Sequence, residues 1–280
     1  MHLLMILAAV AVAWCVRKRW IAPAGNWRER WQRAIMLFLF PPMLLIMTAI
    51  AVLFMGPSGQ MVGLLTDWLS YAIASGFLGL AGVLCVKLAT QGWKTLRKTR
   101  TYCRRNISGI PARILDTTAL FTAQIGFWHP ELVVSEGLLQ TLDSAHLEAV
   151  FAHEQAHYYY RDTFWFFWLG WVRSCTTWLP NTEALWQELL VLRELRADAK
   201  AAQQVDPLVL AESLLLVVSV LPAPCESFCA ALSAVAPRSR LEERIEALLA
   251  QPEEQSSINQ WFWMWLLLAF LPLLTVPFHG

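Results

Sequence analysis

The chain has 280 residues, 57% of them hydrophobic and 15% charged, with 22 Lys+Arg against 21 Asp+Glu. That balance gives no reason to expect a nucleic-acid or acidic partner, and so few charges fall well short of an ordinary soluble domain. Six cysteines (Cys15, Cys85, Cys103, Cys175, Cys225 and Cys229) lack disulfide spacing, so reduced thiols are expected, and Cys225 with Cys229 is too few ligands for a closed zinc site.

The apolar residues fall in blocks, 3–16, 34–55, 69–86 and 261–278, and none of these holds Asp, Glu, Lys or Arg. A helix rises 1.5 Å per residue, so about 20 residues cross a hydrocarbon core of roughly 30 Å. The last three runs suffice with their flanks. The first must borrow its ends, with Arg17, Lys18 and Arg19 snorkelling. Buried helices of a large soluble core are the competing reading. Arg17, Lys18, Arg19, Arg28, Arg30 and Arg33 follow the first run, residues 56–68 after the second hold no Lys or Arg, and the stretch after the third is basic again. The positive-inside tendency then puts the N-terminus outside and residues 87–260 in the cytoplasm. No Lys or Arg precedes the first run, the reverse of a secretory signal, so it reads as an uncleaved anchor. The expected fold is a mainly α, multi-pass protein of the plasma membrane. Its anchor is 1–86, a cytoplasmic α+β domain occupies 87–260, and a fourth transmembrane helix occupies 261–278.

Within 87–260, "KTLRKTRTYCRRN" is a juxtamembrane basic stretch, lying on anionic headgroups or serving only as the topology signal. Residues 111–128 and "ELVVS" predict two or three short strands. Asp143 or Ser144 caps a helix reaching about Arg161. Residues 163–180 are very apolar, but Arg173 and Pro180 favour a buried or interfacial helix over a fifth span. Asn181 is expected to cap a helix over 182–204. "PLVLAESLLLVVSVL" predicts another, and Ser239 with Glu242 has capping-box spacing for a last amphipathic one.

The first of these helices carries "AVFAHEQAHYYYRD". Helical residues four apart differ by about 40° around the axis, so His153 and His157 point the same way and can share one ion. Glu154, about 100° from His153, reaches beside that ion, where a carboxylate can take a proton from water. A structural helix with two satisfied histidines is the alternative. "RELRAD" offers Glu194 and Asp198 on a second helix. Glu194 can complete a two-His, one-carboxylate zinc site, and Asp198 can accept the free N–H of a ligand imidazole. The competing reading is a solvated face paired with Arg193 and Arg196. Asp162 could cap the neighbouring helix or orient a ligand and ranks below Asp198, while His146, two turns away, is a surface residue. Candidate oxyanion donors are Tyr158, Tyr159, Tyr160, Arg161, Arg193 and His129.

These segments, with "WLPN", "LRELRAD" and "GFWHPELVVSEGLL", resemble the gluzincin metallopeptidases over about residues 110–205. They are similar above all to the membrane-anchored BlaR/MecR-type signal transducers, with HtpX-like and CAAX-prenyl-type proteases as neighbours. The resemblance implies one catalytic zinc ion held by His153, His157 and Glu194, Glu154 as catalytic base and acid, and Asp198 as the partner of a ligand. It implies a peptide or protein substrate and suggests cytoplasmic repressor proteolysis. Those receptors carry a penicillin-binding sensor after their fourth span and this sequence stops at Gly280, so direct β-lactam sensing is not expected. The expected activity is a membrane-anchored zinc metalloendopeptidase. The alternatives are an intramembrane-cleaving protease, which the charges around His153 disfavour, and a non-enzymatic regulator with a structural or vestigial metal site.

Overall fold

The computed structural model describes residues 2–21, 25–56, 64–107, 109–220, 240–250, 264 and 266–278. Cys225, Cys229, Ser239, residues 57–63 of the second loop and the start of the 261–278 run lie outside them. The chain divides into two compact units. One holds Met1–Lys87, Trp171–Leu189 and Gln255–Gly280; the other holds Leu88–Gly170 and Leu190–Glu254.

In the first unit, α1 (His2–Lys18), α2 (Trp27–Met55) and the start of α3 (Leu64–Thr99) contain the first three apolar runs. Each helix outruns its uncharged block, because Arg, Glu, Gln and Lys are good helix formers. Asn26 starts α2 by accepting from the Arg28 N–H, so Arg28, Arg30 and Arg33 lie inside the helix rather than in a loop. Two helices, Trp27–Met55 and Trp68–Thr99, are long and apolar enough to cross a membrane. The α1 helix has 17 residues, about 25 Å against the roughly 30 Å needed. On α3, Trp68, Leu69, Ile73, Leu80, Val83 and Val86 are all exposed.

Two polar residues depart from expectation here. Arg17 does not snorkel: it is fully buried, donating to Thr182 Oγ1 at 3.2 Å and to the Phe38 carbonyl at 3.1 Å. Asn181 does not cap the next helix by its side chain; its amide donates to the Arg17 carbonyl at 3.0 Å. The last apolar run is described over Leu268–Phe278 as a 3-10 helix, with Pro272 and Pro277 inside it.

The second unit is built on a four-stranded sheet of order β1-β2-β4-β3. Its strands are β1 (Cys103–Ile107), β2 (Ile110–Leu115), β3 (Thr122–Ile125) and β4 (Glu131–Ser135). The β1–β2 and β3–β4 pairs are antiparallel and β2–β4 is parallel. The basic stretch after the third apolar run is thus partly helix, to the end of α3, and partly the strand β1. A two-residue turn explains the strand: Ile107 pairs with Ile110, and Gly109 at φ 86° supplies the left-handed residue such turns need. Ala112, Leu132 and Val134 of the sheet pack with Leu138, Leu142, Val150 and Phe151 in one core. Leu138 belongs to α4 (Glu136–Thr141), and Val150 and Phe151 to α5 (Ser144–Tyr159). The remaining α-helices among the described residues of the domain are α6 (Asp162–Cys175), α7 (Thr182–Ala201), α8 (Pro207–Val220) and α9 (Leu241–Leu249). Helices α6 and α7 each contribute residues to both units. Ala149 and Ala152 of α5 form a second core with Leu210 and Ala211 of α8 and Leu248 of α9. Small residues on α5 let these helices approach closely, and that close approach fixes the helix carrying the histidines.

Candidate metal centre

Asp143 starts α5 by accepting from the His146 N–H at 2.9 Å. From that cap the helix runs far enough to put His153 and His157 on one face, their rings perpendicular with centroids 4.7 Å apart. Helix α7 brings Glu194 against them. His153 Nε2 and His157 Nε2 are 3.0 Å apart. Glu194 Oε2 lies 3.3 Å from the first and Oε1 3.7 Å from the second. All three residues offer atoms within 4.8 Å of one another and could hold a metal ion.

A carboxylate stands beside Nδ1 of each ring. His153 Nδ1 is 2.8 Å from Asp198 Oδ1, and His157 Nδ1 is 2.7 Å from Asp162 Oδ2. With Nδ1–H turned to a carboxylate, a neutral imidazole presents its Nε2 lone pair to the other side. Three acceptors then converge with no hydrogen to share, an arrangement only a cation relieves. Their separations suit one tetrahedral ion, whose ligands at 2.0–2.1 Å stand about 3.3 Å apart. Without metal, protons take that role. Burial opposes charge on His153, but Asp198 and Glu194 outweigh it and push the imidazole up to about 10. His157 is likewise raised, burial being overcome by Glu194 and Asp162.

Three arginines balance the acids. Arg193 donates to Glu194 Oε1 from Nε at 2.9 Å and Nη2 at 2.6 Å. Arg196 pairs with Asp162. Arg244, from α9, binds Asp198 through Nε at 2.7 Å and Nη2 at 2.8 Å, and its Nη1 is 3.3 Å from Glu194 Oε2. Burial alone would raise the Glu194 carboxyl, yet Arg193, His157 and Arg244 hold it well below the usual range. The opposite holds for Glu154. It is buried, and burial lifts its carboxyl above the ordinary value despite the nearby histidines.

The residues singled out in the sequence therefore separate. His153, Glu154, His157, Glu194 and Asp198 gather in one place, and Asp162 serves His157 as Asp198 serves His153. Arg193 and Arg196 make the salt bridges of the competing reading, but with the site's own buried acids. Among the oxyanion candidates, Arg193 is engaged with Glu194 and Tyr160 lies under the Arg196 guanidinium at 4.2 Å. His129, Tyr158, Tyr159 and Arg161 line a different cavity. His146 stands apart, 2.7 Å from Asp143 and 3.4 Å from Glu212. Sequence reasoning missed Arg244. Its only signal was a lone arginine on an amphipathic helix, far along the chain from the acids it binds.

Residues 121–220 match the family model described as Peptidase family M48. That span contains both histidines, Glu154, Glu194, Asp162 and Asp198, and the match supports a metallopeptidase; Arg244 falls beyond it. No curated protein matches the chain.

Proposed function

We propose that this chain is a membrane-anchored, zinc-dependent endopeptidase acting on a cytoplasmic or membrane-proximal protein. The observation that carries the reading is the meeting of two imidazole Nε2 atoms and the Glu194 carboxylate beside buried Glu154. Zinc held by His153, His157 and Glu194 would act as a Lewis acid, polarising a peptide carbonyl and making water acidic enough to ionise near neutrality.

The protein's own groups do the rest. Glu154, with its carboxyl raised by burial, accepts a proton from the attacking water and passes it to the departing amide nitrogen. Asp198 and Asp162 hold the imidazoles in the orientation that exposes Nε2, and their own arginines hold them. Strand β3 is the outer strand on its side of the sheet, and Gln124 on it donates to the Glu154 carbonyl at 3.4 Å. An extended substrate adding to that edge by main-chain bonds would lie alongside the catalytic helix.

Helices α2 and α3 supply spans, and the exposed apolar face of α3 is the kind of surface that lipid covers. In the proposed layout α1 and the 261–278 run also cross, the N-terminus is outside, and the catalytic unit faces the cytoplasm, following the positive-inside tendency of the Lys and Arg between the apolar runs. Repressor cleavage in response to a signal is the role this layout suits.

The test is Glu154→Gln in the purified full chain. The variant is expected to keep one zinc ion and lose at least about a hundredfold in hydrolysis of a quenched peptide. Undiminished hydrolysis would overturn the mechanism.

A further inference from the structure

A cavity of about 520 Å³ opens on the side of α5 turned away from the imidazole pair. Gln155 is rotated about 200° from His153 around the helix axis, and Tyr159 about 240°. Both line this cavity, with Trp128 and His129 from the β3–β4 loop and Lys200 from α7.

Its chemistry is one-sided. Arg161 and Lys200 bring two positive charges and His129 a ring N–H, and among the described residues no Asp or Glu lines the space. Elsewhere in this unit Arg193 and Arg196 are matched with carboxylates. Arg161 has no such partner among the described residues, and Lys200 bonds the neutral Gln203 amide at 3.3 Å while resting over the Tyr159 ring. Arg161 also holds a left-handed backbone at φ 53°, a conformation that non-glycine residues avoid and that gathers at binding sites.

Aromatic side chains continue from the mouth. Trp128 is 67% exposed, and its ring is 5.0 Å from Phe164, which in turn contacts Trp165 and Trp168. Trp165 is 57% exposed. Paired cations beside exposed indoles suit a ligand with an anionic head and an apolar body. Indoles with Lys and Arg are also the residues that settle at headgroup depth.

We propose that this cavity binds the phosphate headgroup of an anionic membrane phospholipid, with Trp128, Phe164, Trp165 and Trp168 lying against its glycerol and acyl portion. The inference rests on the membrane reading above. A soluble phosphate ester would satisfy the same cations but leave the indoles uncovered.

The test uses the full chain in neutral detergent, titrated with phosphatidylglycerol, phosphatidylcholine or glycerol 1-phosphate and read by the mass of the intact complex. Wild type is expected to bind phosphatidylglycerol at least tenfold more tightly than phosphatidylcholine. Arg161→Gln/Lys200→Gln should lose most of that preference, Arg161→Lys should keep it, and Trp128→Ala should weaken both lipids, all with zinc content unchanged. An unaltered preference in the double variant would overturn the site. Glycerol 1-phosphate displacing the lipid at equal concentration would overturn the lipid assignment. Should the double variant not fold, exposed Arg161→Gln alone decides, with about a fivefold loss expected and no loss counting against the site. Retention of wild type in alkali-washed membranes reports the spans separately, so failure there is distinguishable from failure of the cavity.

Discussion

Arg244 grips Asp198 with two nitrogens, at 2.7 and 2.8 Å, and Asp198 in turn meets His153 Nδ1 at 2.8 Å. A ring that faces one way to a carboxylate presents its other nitrogen in a fixed direction, so this chain of contacts aims His153. Arg244→Ala leaves Asp198 buried without its arginine and takes from Glu194 one of its two arginine partners. The expected outcome is a 10–100-fold loss of zinc affinity in chelator competition and a stability loss of about 3–5 kcal/mol in the zinc-loaded chain. Arg244→Lys keeps the charge but cannot bind both oxygens, so it should fall between the two.

Asp162 hydrogen-bonds Nδ1 of His157 at 2.7 Å and Asp198 stands 2.8 Å from Nδ1 of His153. Asp162→Asn and Asp198→Asn should therefore each weaken zinc binding by about 10–100-fold, in the same chelator assay. An effect confined to Asp198 would mean that the Asp162 contact does not orient its ring.

Helical geometry explains why the sequence ranks Asp198 above Asp162. Glu194 and Asp198 are four apart on a regular helix, so a shared face follows from spacing alone. Asp162 is five residues past His157, which on a continuing helix would turn it about 140° away. The helix stops at Tyr159, and Arg161 in the left-handed region redirects the chain so that the Asp162 carboxylate returns to the ring. No propensity foretells an arginine in that conformation. The same limit hid β1, whose four exposed residues read as a basic linker, and Arg244, whose partners are fixed only by how α9 packs. The long apolar helices and the His-Glu-x-x-His face depend on short-range periodicity, and there the sequence was sufficient.

Zinc binding and metal-free stability should respond to pH with opposite slopes. In the metal-free site His153 is raised from 6.5 to about 10 by Asp198 and Glu194 acting against burial. A raised folded-state value contributes stability that is complete below pH 6.5 and disappears as pH climbs through about 10. The metal must displace that proton, so apparent zinc affinity should rise about tenfold per pH unit between pH 7 and 9. Thermal unfolding over that range should show the metal-free chain weakening with pH while the zinc-induced shift grows.

In the first unit, Arg30 on α2 donates to Glu188 on α7 from Nε at 2.9 Å and Nη2 at 2.7 Å, with both side chains largely buried. Neither charge can be left alone there. Removing one side chain takes a charged contact from the other where little water can replace it, so Glu188→Gln or Arg30→Ala should each cost about 3–5 kcal/mol. Replacing both with apolar residues removes the desolvation penalty along with the attraction. Arg30→Met/Glu188→Leu should accordingly recover most of the loss and can equal the wild type, because a buried ion pair contributes little over a well-packed apolar one. Thermal unfolding in detergent of the two single variants and the double variant gives the coupling directly. Additive losses in the double variant would show that the two side chains act independently.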